Sequence, residues 1–370
     1  MAIEQIDIEK FLALSAEYVV LDVRSPGEYL HAHIPAALPL PLFSDEERKI
    51  IGTAYKKESR QAAVKIGLIF FSVRMKSIIP EVEKILDSRK KIKDNSINHE
   101  TNRLLLHCWR GGMRSGAVAW LLDLYGFKVY TLKGGYKSFR NWALVQFEKE
   151  YHLNVLGGYT GSGKTQVLEE LKKNGKTVID LEKIANHKGS AFGALGEKPQ
   201  PAQEMFENLL ACELNSATER DEKQQANGMT YTKKSAVEIW IEDESMHIGT
   251  AGIPKKIWGT MRRSSLYFLD IPFDQRLKYI VSSYGVFNKK DLADPILRIQ
   301  KRLGGLETKN ALKYLEENDL EGCFSILLRY YDKMYNVSLY NRENIDELLH
   351  KIPCETVGIT NAQKFCSQNA

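Results

Sequence analysis

The chain has 370 residues, of which 43% are hydrophobic and 27% charged, and its formal net charge is +5. This composition is typical of a soluble globular protein, and the length exceeds what one ordinary core needs, so we expect two domains. No apolar run approaches the ~20 residues of a membrane helix, and the N-terminal segment lacks the basic region of a secretory signal. The modest positive charge permits a polyanionic partner without requiring one.

The five cysteines are widely scattered and form no CxxC pair: Cys108, Cys212, Cys323, Cys354 and Cys366. This pattern argues against a disulfide framework and against a zinc or iron site, and it fits a reducing compartment. We therefore predict a cytoplasmic protein. Cys212 has helical spacing with apolar neighbours and is expected in a core, whereas Cys354 and Cys366 are expected on mobile chain near the C-terminus.

Strand and helix patterns alternate in the first half of the chain, which is typical of an α/β domain with a parallel sheet. Three short apolar runs predict strands, at 18–24, 103–108 and 128–132. Ser25 and Pro26 are suited to begin a helix as N-cap and first-turn residue, and apolar spacing predicts a helix over 115–125. We assign this domain to residues 1–145.

The second half begins a new α/β unit, which we assign to residues 146–370. Four apolar runs predict its strands, at 152–158, 176–181, 237–243 and 264–270. Helical patterns lie between these runs and fill most of 272–351, so we expect a helical C-terminal part. The polar stretch 86–103 is interpreted as a helix end followed by a surface loop.

The segment HCWRGGMRS, residues 107–115, carries the central chemical signal. A buried strand brings Cys108 to its carboxyl end, and a glycine-containing turn and a helix follow. Backbone N–H groups of such a turn and the helix N-terminus favour a negative charge, to which Arg110 and Arg114 add positive charges. We expect a reactive Cys108 thiolate in a cradle that would also hold a tetrahedral anion.

Several functions remain compatible with this loop. A Cys-x5-Arg spacing is also that of cysteine-dependent phosphatases, in which Asp22 or Asp45 would have to act as general acid. A sulfur-relay protein, with Cys108 carrying a persulfide to a partner, is a second alternative. A buried structural cysteine is the third.

The residues around the loop are similar to the two signatures of rhodanese domains. LDVRSPGEYLHAHIPAALPLPL (21–42) resembles the first signature and LHCWRGGMRSGAVAWLLDLYGFKVYTLKGG (106–135) the second. The resemblance implies a rhodanese-like domain over the first half. Within it, Asp22 and Arg24 are expected to form a structural ion pair, because buried charges need partners.

GYTGSGKT, residues 158–165, matches a phosphate-binding P-loop between a predicted strand and a predicted helix. The glycines allow the backbone to wrap a phosphate, the lysine reaches the terminal phosphates and the threonine hydroxyl can bind magnesium. The predicted phosphate-binding residues are Gly158, Gly161, Gly163, Lys164 and Thr165. We expect a P-loop NTPase-like domain.

Two further features suggest partners of the P-loop. The run 237–245 ends in acids, and Glu242 and Asp243 are candidates to hold magnesium together with Thr165; a plain buried strand is the alternative. Arg298 and Arg302 stand four residues apart on one helix face and would serve as a lid over an anion. An ordinary solvated basic face explains that pair equally well.

KKIWGTMRR, residues 255–263, combines cations with an aromatic side chain. Such a combination can neutralise phosphates and stack on an unpaired base, so it is a candidate RNA-binding patch. The residues concerned are Lys255, Lys256, Trp258, Arg262 and Arg263. A basic surface turn around a core tryptophan is the alternative.

The order of the two domains, together with the stretches 180–196, 200–208 and 284–305, resembles the tRNA 2-selenouridine synthase family over nearly the full length. The resemblance implies that selenium from selenophosphate replaces the sulfur of wobble 2-thiouridine in tRNA, through an S-geranyl intermediate made from geranyl diphosphate. It implies catalysis by Cys108, Arg110 and Arg114, the anticodon stem-loop as partner, and a possible link to an enzyme that supplies selenophosphate. A phosphatase or sulfurtransferase fused to an ATP-binding domain is the alternative.

Overall fold

The computed structural model describes residues 3–90, 102–226 and 237–366. The chain divides into two compact units, Met1–Val145 and Gln146–Ala370. Each unit is built on its own five-stranded sheet, and every strand pair in both sheets is parallel. This confirms the predicted α/β class. None of the helices in the described ranges is long and apolar enough to cross a membrane.

The first unit carries strands and helices in near-regular alternation. Its elements are β1 (Ile3–Ile6), α1 (Ile8–Ser15), β2 (Val19–Asp22), α2 (Pro26–His31), β3 (Leu38–Pro39), α3 (Asp45–Lys57), α4 (Arg60–Lys90), β4 (Arg103–His107), α5 (Met113–Tyr125), β5 (Lys128–Leu132) and α6 (Gly135–Gln146). The sheet order is β1-β5-β4-β2-β3, which places β4 at the centre. The chain therefore leaves the middle of the sheet at His107, and the cysteine loop starts there.

Local sequence explains these elements. Leu104, Leu105 and Leu106 of β4 are fully buried, as expected for a strand covered on both faces. At the start of α2, Ser25 and Glu28 form a capping box, which satisfies backbone N–H groups that the first turn leaves unpaired. The helix α5 ends at Gly126, whose φ of 112° terminates it.

The helix α3 and most of α4 were not predicted from the sequence. The helices α3 and α4 pack against each other, and α4 runs for 31 residues with Pro80 inside it. The predicted helix end at 86–90 belongs to α4. The loop expected to follow falls mainly on residues 91–101, which lie outside the described residues.

The second unit holds the remaining elements. These are β6 (His152–Gly158), α7 (Lys164–Lys173), β7 (Thr177–Ile179), α8 (Leu181–Ala185), α9 (Gln203–Ala226), β8 (Glu238–Glu242), β9 (His247–Ile248), β10 (Ala251–Gly252), α10 (Lys255–Arg262), β11 (Leu266–Asp270), α11 (Phe273–Tyr284), α12 (Lys289–Leu303), α13 (Gly305–Glu316), α14 (Leu320–Tyr340), α15 (Ile345–Leu348), β12 (Leu349–Pro353), a 3-10 turn (Ile359–Ala362) and α16 (Gln363–Cys366). The sheet order β12-β11-β6-β8-β7 places β6 at the centre.

The C-terminal part is helical as predicted, but it ends in a strand. β12 pairs in parallel with β11, from Leu266 beside Leu349 to Asp270 beside Pro353. This pairing buries Cys354, which is 4% exposed, so the expectation that Cys354 lies on mobile chain is wrong. The side chain of Cys366 lies outside the described residues.

Candidate active site

Cys108 is the first residue after β4, and its side chain is 3% exposed. The backbone N–H of Gly112 donates to its sulfur at 3.4 Å, and the Ser115 hydroxyl lies 3.3 Å from the same atom. Gly112 is the N-cap of α5, so the sulfur faces the N-terminal end of that helix. The strand–loop–helix arrangement predicted from the sequence is thus present at this cysteine.

The cysteine loop is held by hydrogen bonds from the first turn of α6. The N–H of Tyr136 donates to the carbonyl of Cys108 at 2.8 Å, and that of Lys137 donates to the carbonyl of Trp109 at 3.0 Å. Gly111 adopts φ 63°, and a Cβ at this position would collide with the carbonyl oxygen of Leu132. Only glycine fits there, so this residue fixes the shape of the loop that brings the N–H of Gly112 to the sulfur.

Electrostatics favours the thiolate of Cys108 despite its burial. Burial by itself would raise the pKa of the thiol. The hydroxyl and N–H of Ser115, the charge of Arg114 and the N–H of Gly112 together outweigh it, and the pKa of Cys108 is lowered from its ordinary value. A nucleophilic or chalcogen-accepting sulfur needs this property.

The two loop arginines have different surroundings. Arg110 is exposed, whereas Arg114 forms a two-point ion pair with Glu28, at 2.6 and 3.3 Å. Arg48 also contacts Glu28, at 3.0 Å. Burial would raise the pKa of Glu28, but the hydrogen bonds and charges of Arg114 and its other neighbours lower it to about 2. The guanidinium of Arg114 therefore interacts both with the Glu28 carboxylate and with the cysteine loop.

Asp22 and Arg24 form the buried ion pair expected from the sequence, at 2.6 Å, and are 0% and 1% exposed. Burial would raise the pKa of Asp22, but neighbouring His107 and Arg24 lower it. Asp45, the other acid considered for a phosphatase, accepts the N–H of Gly27 at 3.0 Å. An ionised, buried, paired carboxylate is unsuited to donate a proton, so the structure does not favour Asp22 as a general acid.

The P-loop of the second unit connects β6 to α7. Positive φ angles occur at its three predicted glycines, Gly158, Gly161 and Gly163. At Gly161 a Cβ would lie 2.7 Å from Ile280, so the close approach of α11 also requires glycine. Lys164 begins α7, and its ammonium donates to the carbonyl of Gly158 at 3.1 Å. The loop thus has the form that wraps a phosphate at a helix N-terminus.

The acids near the P-loop differ from those predicted. Glu242 is fully buried and accepts the N–H of Leu181 at 2.9 Å, while Asp243 pairs with Arg342 and accepts the Tyr335 hydroxyl at 2.6 Å. In the described part of the chain, neither carboxylate forms a hydrogen bond with Thr165. The Thr165 hydroxyl instead donates to Glu182, at 3.3 Å.

Sequence reasoning did not connect Glu182 with the P-loop, and it placed Glu244 in the acidic end of the 237–245 run without assigning it to magnesium. Burial is the main cause that raises the pKa of both carboxyl groups, and the charge of Lys164 opposes the shift in each. The charge of Glu182 also raises the pKa of Glu244, whereas the hydrogen bond from Glu244 lowers that of Glu182. Within the described ranges, no three His, Cys, Asp or Glu side chains converge as a metal cluster. Thr165 and Glu182 supply the oxygen ligands that suit a partly hydrated magnesium ion.

The comparisons with known proteins agree with both halves of this arrangement. The family model described as the tRNA 2-selenouridine synthase AAA domain matches residues 151–351, and that of the rhodanese-like domain matches residues 7–141. The tRNA 2-selenouridine synthase of Sulfurovum sp. is 33% identical over 352 residues, covering 86% of this chain and 88% of that protein. The chain belongs to the tRNA 2-selenouridine synthase family.

Other similar proteins include the tRNA 2-selenouridine synthase of Shewanella denitrificans, which is 31% identical and covers 88% of this chain and 89% of that protein. Among solved structures, the N-terminal domain of a putative ATP/GTP binding protein from Clostridium difficile 630 is 35% identical. It covers 38% of this chain and 99% of that chain, with a TM-score of 0.32.

In this member of the tRNA 2-selenouridine synthase family, the candidate RNA-binding residues lie on and next to α10. Lys255 and Arg263 are exposed, whereas Lys256 contacts Glu150 at 3.5 Å and the carbonyl of Glu148. The guanidinium of Arg262 lies 5.5 Å from the ring of half-buried Trp258. The residues are therefore together, but part of their charge is already paired.

The candidate lid residues lie on one helix of the second unit. Arg298 on α12 is exposed and donates to the carbonyl of Ala191 at 2.9 Å, and Arg302 is exposed one turn later.

Burial raises the pKa of Cys212 and of Cys323 to about 12. Cys108 is thus the cysteine of the described residues whose surroundings stabilise a thiolate.

Proposed function

We propose that this protein is a tRNA-modifying transferase that replaces the sulfur of wobble 2-thiouridine by selenium from selenophosphate. The observation that carries the proposal is the presence, in one chain, of a thiolate-stabilising cysteine loop and a P-loop, in a family whose members are named tRNA 2-selenouridine synthase. An S-geranyl intermediate, made from geranyl diphosphate, connects the two chemistries.

The role of the cysteine loop is to release the selenium. The loop N–H groups and Arg110 hold the phosphoryl group of selenophosphate while the Cys108 thiolate attacks its phosphorus, so that a sulfur–phosphorus bond forms as the phosphorus–selenium bond breaks and the selenium leaves as selenide. Water then hydrolyses the sulfur–phosphorus bond, which releases phosphate and regenerates the thiol. Arg114 keeps the sulfur ionised and, through its ion pair with Glu28, remains in position beside it. These features support the assignment because donors fixed before substrate binding do not have to reorganise during the reaction.

The role of the P-loop is to hold geranyl diphosphate. Lys164 and the N–H groups at the start of α7 bind the diphosphate, and Thr165 with Glu182 would hold magnesium. Bound magnesium supplies charge that stabilises the departing pyrophosphate. The exposed arginines of α12 would then close over the anion as a lid.

Geranylation explains why sulfur can leave the uridine ring. A 2-thiocarbonyl sulfur is a poor leaving group, whereas the thioether formed by alkylation departs as a thiol. The incoming selenium forms the new bond to C2 as the carbon–sulfur bond breaks, and the sulfur carries away the geranyl chain. The two activities therefore act in sequence on one atom.

The proposed partner is the anticodon stem-loop of tRNA, contacted by Lys255, Lys256, Arg262 and Arg263, with Trp258 available for stacking. A selenophosphate-supplying enzyme is a further partner, and the cytoplasm is the compartment in which these reactants meet.

The proposal is tested by mass spectrometry of tRNA nucleosides from a deletion strain carrying the wild-type gene or a variant. Wild type should restore 2-selenouridine. Lys164→Ala should leave 2-thiouridine without the geranyl group, whereas Cys108→Ser should accumulate S-geranyl-2-thiouridine. Restoration of 2-selenouridine by Cys108→Ser would contradict the role of the cysteine, and normal geranylation by Lys164→Ala would contradict that of the P-loop.

A further inference from the structure

The first unit contains a cavity of about 630 Å³ that neither loop explains. Its walls come from α3, α4, the start of α5 and the segment before α3. Its lining residues include Arg48, Gly52, Lys56, Leu68, Phe71 and Arg114. This volume lies within the range of about 300–1,000 Å³ that is usual for small-ligand sites.

The wall is apolar and comes mostly from two helix faces. On α4, Val64, Leu68 and Phe71 recur at helical spacing, and Phe71 is buried while Leu68 is 59% exposed. An apolar site that runs from a buried floor to an exposed mouth suits a chain that enters by one end.

The cavity is linked to the cysteine loop through α5. Met113 and Arg114 line it, and Gly112, the residue before them, donates its N–H to the Cys108 sulfur. The guanidinium of Arg114 is therefore both part of the cavity wall and one of the charges that lower the pKa of Cys108. A group attached close to the reacting atom at Cys108 could extend into this cavity.

Cations line the cavity beside the apolar residues. Arg48, Lys49 and Lys56 of α3 are exposed and contribute to the wall. A ligand that combines an apolar chain with a nearby polyanion fits this pairing, because burial attracts the chain and the cations attract phosphates. A free hydrocarbon or a neutral lipid would gain from burial of its apolar surface but not from the cations.

We propose that this cavity binds the prenyl chain of an S-alkylated uridine in RNA while its C2 atom is at Cys108. The assignment rests on the proposed function, because it requires an S-geranyl substrate. The chain would lie along Val64, Leu68 and Phe71, with RNA phosphates near Lys49 and Lys56. Recognition of the chain would distinguish the alkylated uridine from the unmodified thiouridine.

Gly52 offers a substitution that fills the cavity without disturbing the fold. It lies inside α3, and a Cβ there meets no heavy atom within 4 Å. Gly52→Phe should therefore fold and place a ring at the mouth. Gly305→Phe is the matched control, since Gly305 begins α13 in the second unit and also has no heavy atom within 4 Å of a built Cβ. Leu68→Gln tests the same wall by removing apolar character without adding volume.

The test measures binding and selenation of anticodon stem-loop RNA that carries either S-geranyl- or S-methyl-2-thiouridine. Wild type and Gly305→Phe should bind the geranyl RNA at least about tenfold more tightly than the methyl RNA. Gly52→Phe should abolish this preference, and Leu68→Gln should reduce it, while methyl-RNA binding stays unchanged. A geranyl preference retained in Gly52→Phe would overturn the cavity assignment, whatever the selenation assay shows.

The same variants separate this inference from the proposed function. Transfer from geranyl diphosphate to 2-thiouridine RNA should be unchanged in Gly52→Phe, and loss of that step would overturn the placement of the chain during selenation. If wild type selenates neither RNA, the proposed function fails. The binding measurement then tests the cavity assignment independently. A geranyl preference that Gly52→Phe abolishes supports the assignment, and a preference that Gly52→Phe retains contradicts it.

Discussion

The guanidinium of Arg114 and the carboxylate of Glu28 form an ion pair with a shortest N–O distance of 2.6 Å. Glu28 also caps α2, where it accepts the N–H of Ser25 at 3.1 Å. One carboxylate thus connects the helix after β2 to the start of α5. The position of the charge that stabilises the Cys108 thiolate depends on this connection.

Removal of the Glu28 charge should destabilise the first unit in a pH-dependent way. The pKa of Glu28 is about 2 in the folded protein, below its ordinary 4.5, so its contribution is present above pH 4.5 and lost as the pH falls toward 2. At neutral pH, Glu28→Gln should cost about 1–3 kcal/mol of unfolding free energy. Urea unfolding at pH 7 and pH 3 measures this.

Exposed Glu46→Gln is the control, and it should change stability little at either pH. The difference between Glu28→Gln and wild type should be smaller at pH 3 than at pH 7. An equal cost at both pH values would show that the ion pair is not the source of the effect.

Ser115→Ala should raise the pKa of Cys108. The Ser115 hydroxyl lies 3.3 Å from the sulfur and stabilises its ionised form, so its removal leaves burial less opposed. The thiolate absorbance near 240 nm, followed against pH, should move to a higher midpoint. Ser88→Ala on α4, whose hydroxyl bonds only within its own helix, serves as control. An unchanged midpoint in Ser115→Ala would contradict the role of this hydroxyl.

The cysteine loop was predictable from the sequence because all its parts are local. A strand, a glycine turn and a helix start lie within residues 103–125, so their order alone places the sulfur at the helix N-terminus. The same holds for the P-loop glycines and Lys164. The predicted strands β2, β4 to β8 and β11 were found for a similar reason, since their apolar runs are short and bounded by turns. The strands β1, β3, β9, β10 and β12 were not predicted.

Contacts between distant segments were not predictable in the same way. The pair of Arg114 with Glu28 spans 86 residues, and that of Arg342 with Asp243 spans 99, so no local pattern indicates either. Asp243 was assigned to magnesium because it ends a strand, but α14 and the residues after it supply a cation and a hydroxyl that occupy it. Glu182 was missed because no P-loop motif includes it.

Glu244→Gln should reduce the loss of stability that the second unit suffers as the pH rises. The pKa of Glu244 is raised well above its ordinary value, first by burial and then by the charge of Glu182. A carboxyl group with a raised pKa favours the folded state when protonated, so its contribution is lost as the pH rises. Thermal unfolding without divalent cations should show a smaller fall in Tm between pH 5.5 and 7.5 than in wild type.

Glu238→Gln is the control for this prediction, because Glu238 is exposed at the other end of β8. It should leave the pH dependence as it is in wild type. If Glu244→Gln also leaves it unchanged, the half-buried pair of Glu182 and Glu244 does not govern the pH response.

Charge removal on α10 should weaken tRNA binding in a salt-dependent way. Lys255 and Arg263 are exposed, and each phosphate contact contributes about one unit to the slope of log affinity against log salt. The double variant Lys255→Ala, Arg263→Ala should bind tRNA more weakly at low salt and lower that slope by up to about 2. Filter binding at several salt concentrations measures both quantities.

Lys309→Ala removes an exposed charge from α13 and should leave the affinity for tRNA unchanged. An unaltered salt slope in the α10 double variant would exclude this surface as the RNA contact.

The ionisation of Cys108 itself tests the proposed chemistry most directly. The difference in absorbance near 240 nm between wild type and Cys108→Ser, recorded from pH 5 to pH 11, isolates the titration of this one sulfur. The surroundings of Cys108 predict a midpoint below the ordinary pKa of a cysteine thiol. A midpoint at or above that value would contradict a thiolate held ready to attack selenophosphate.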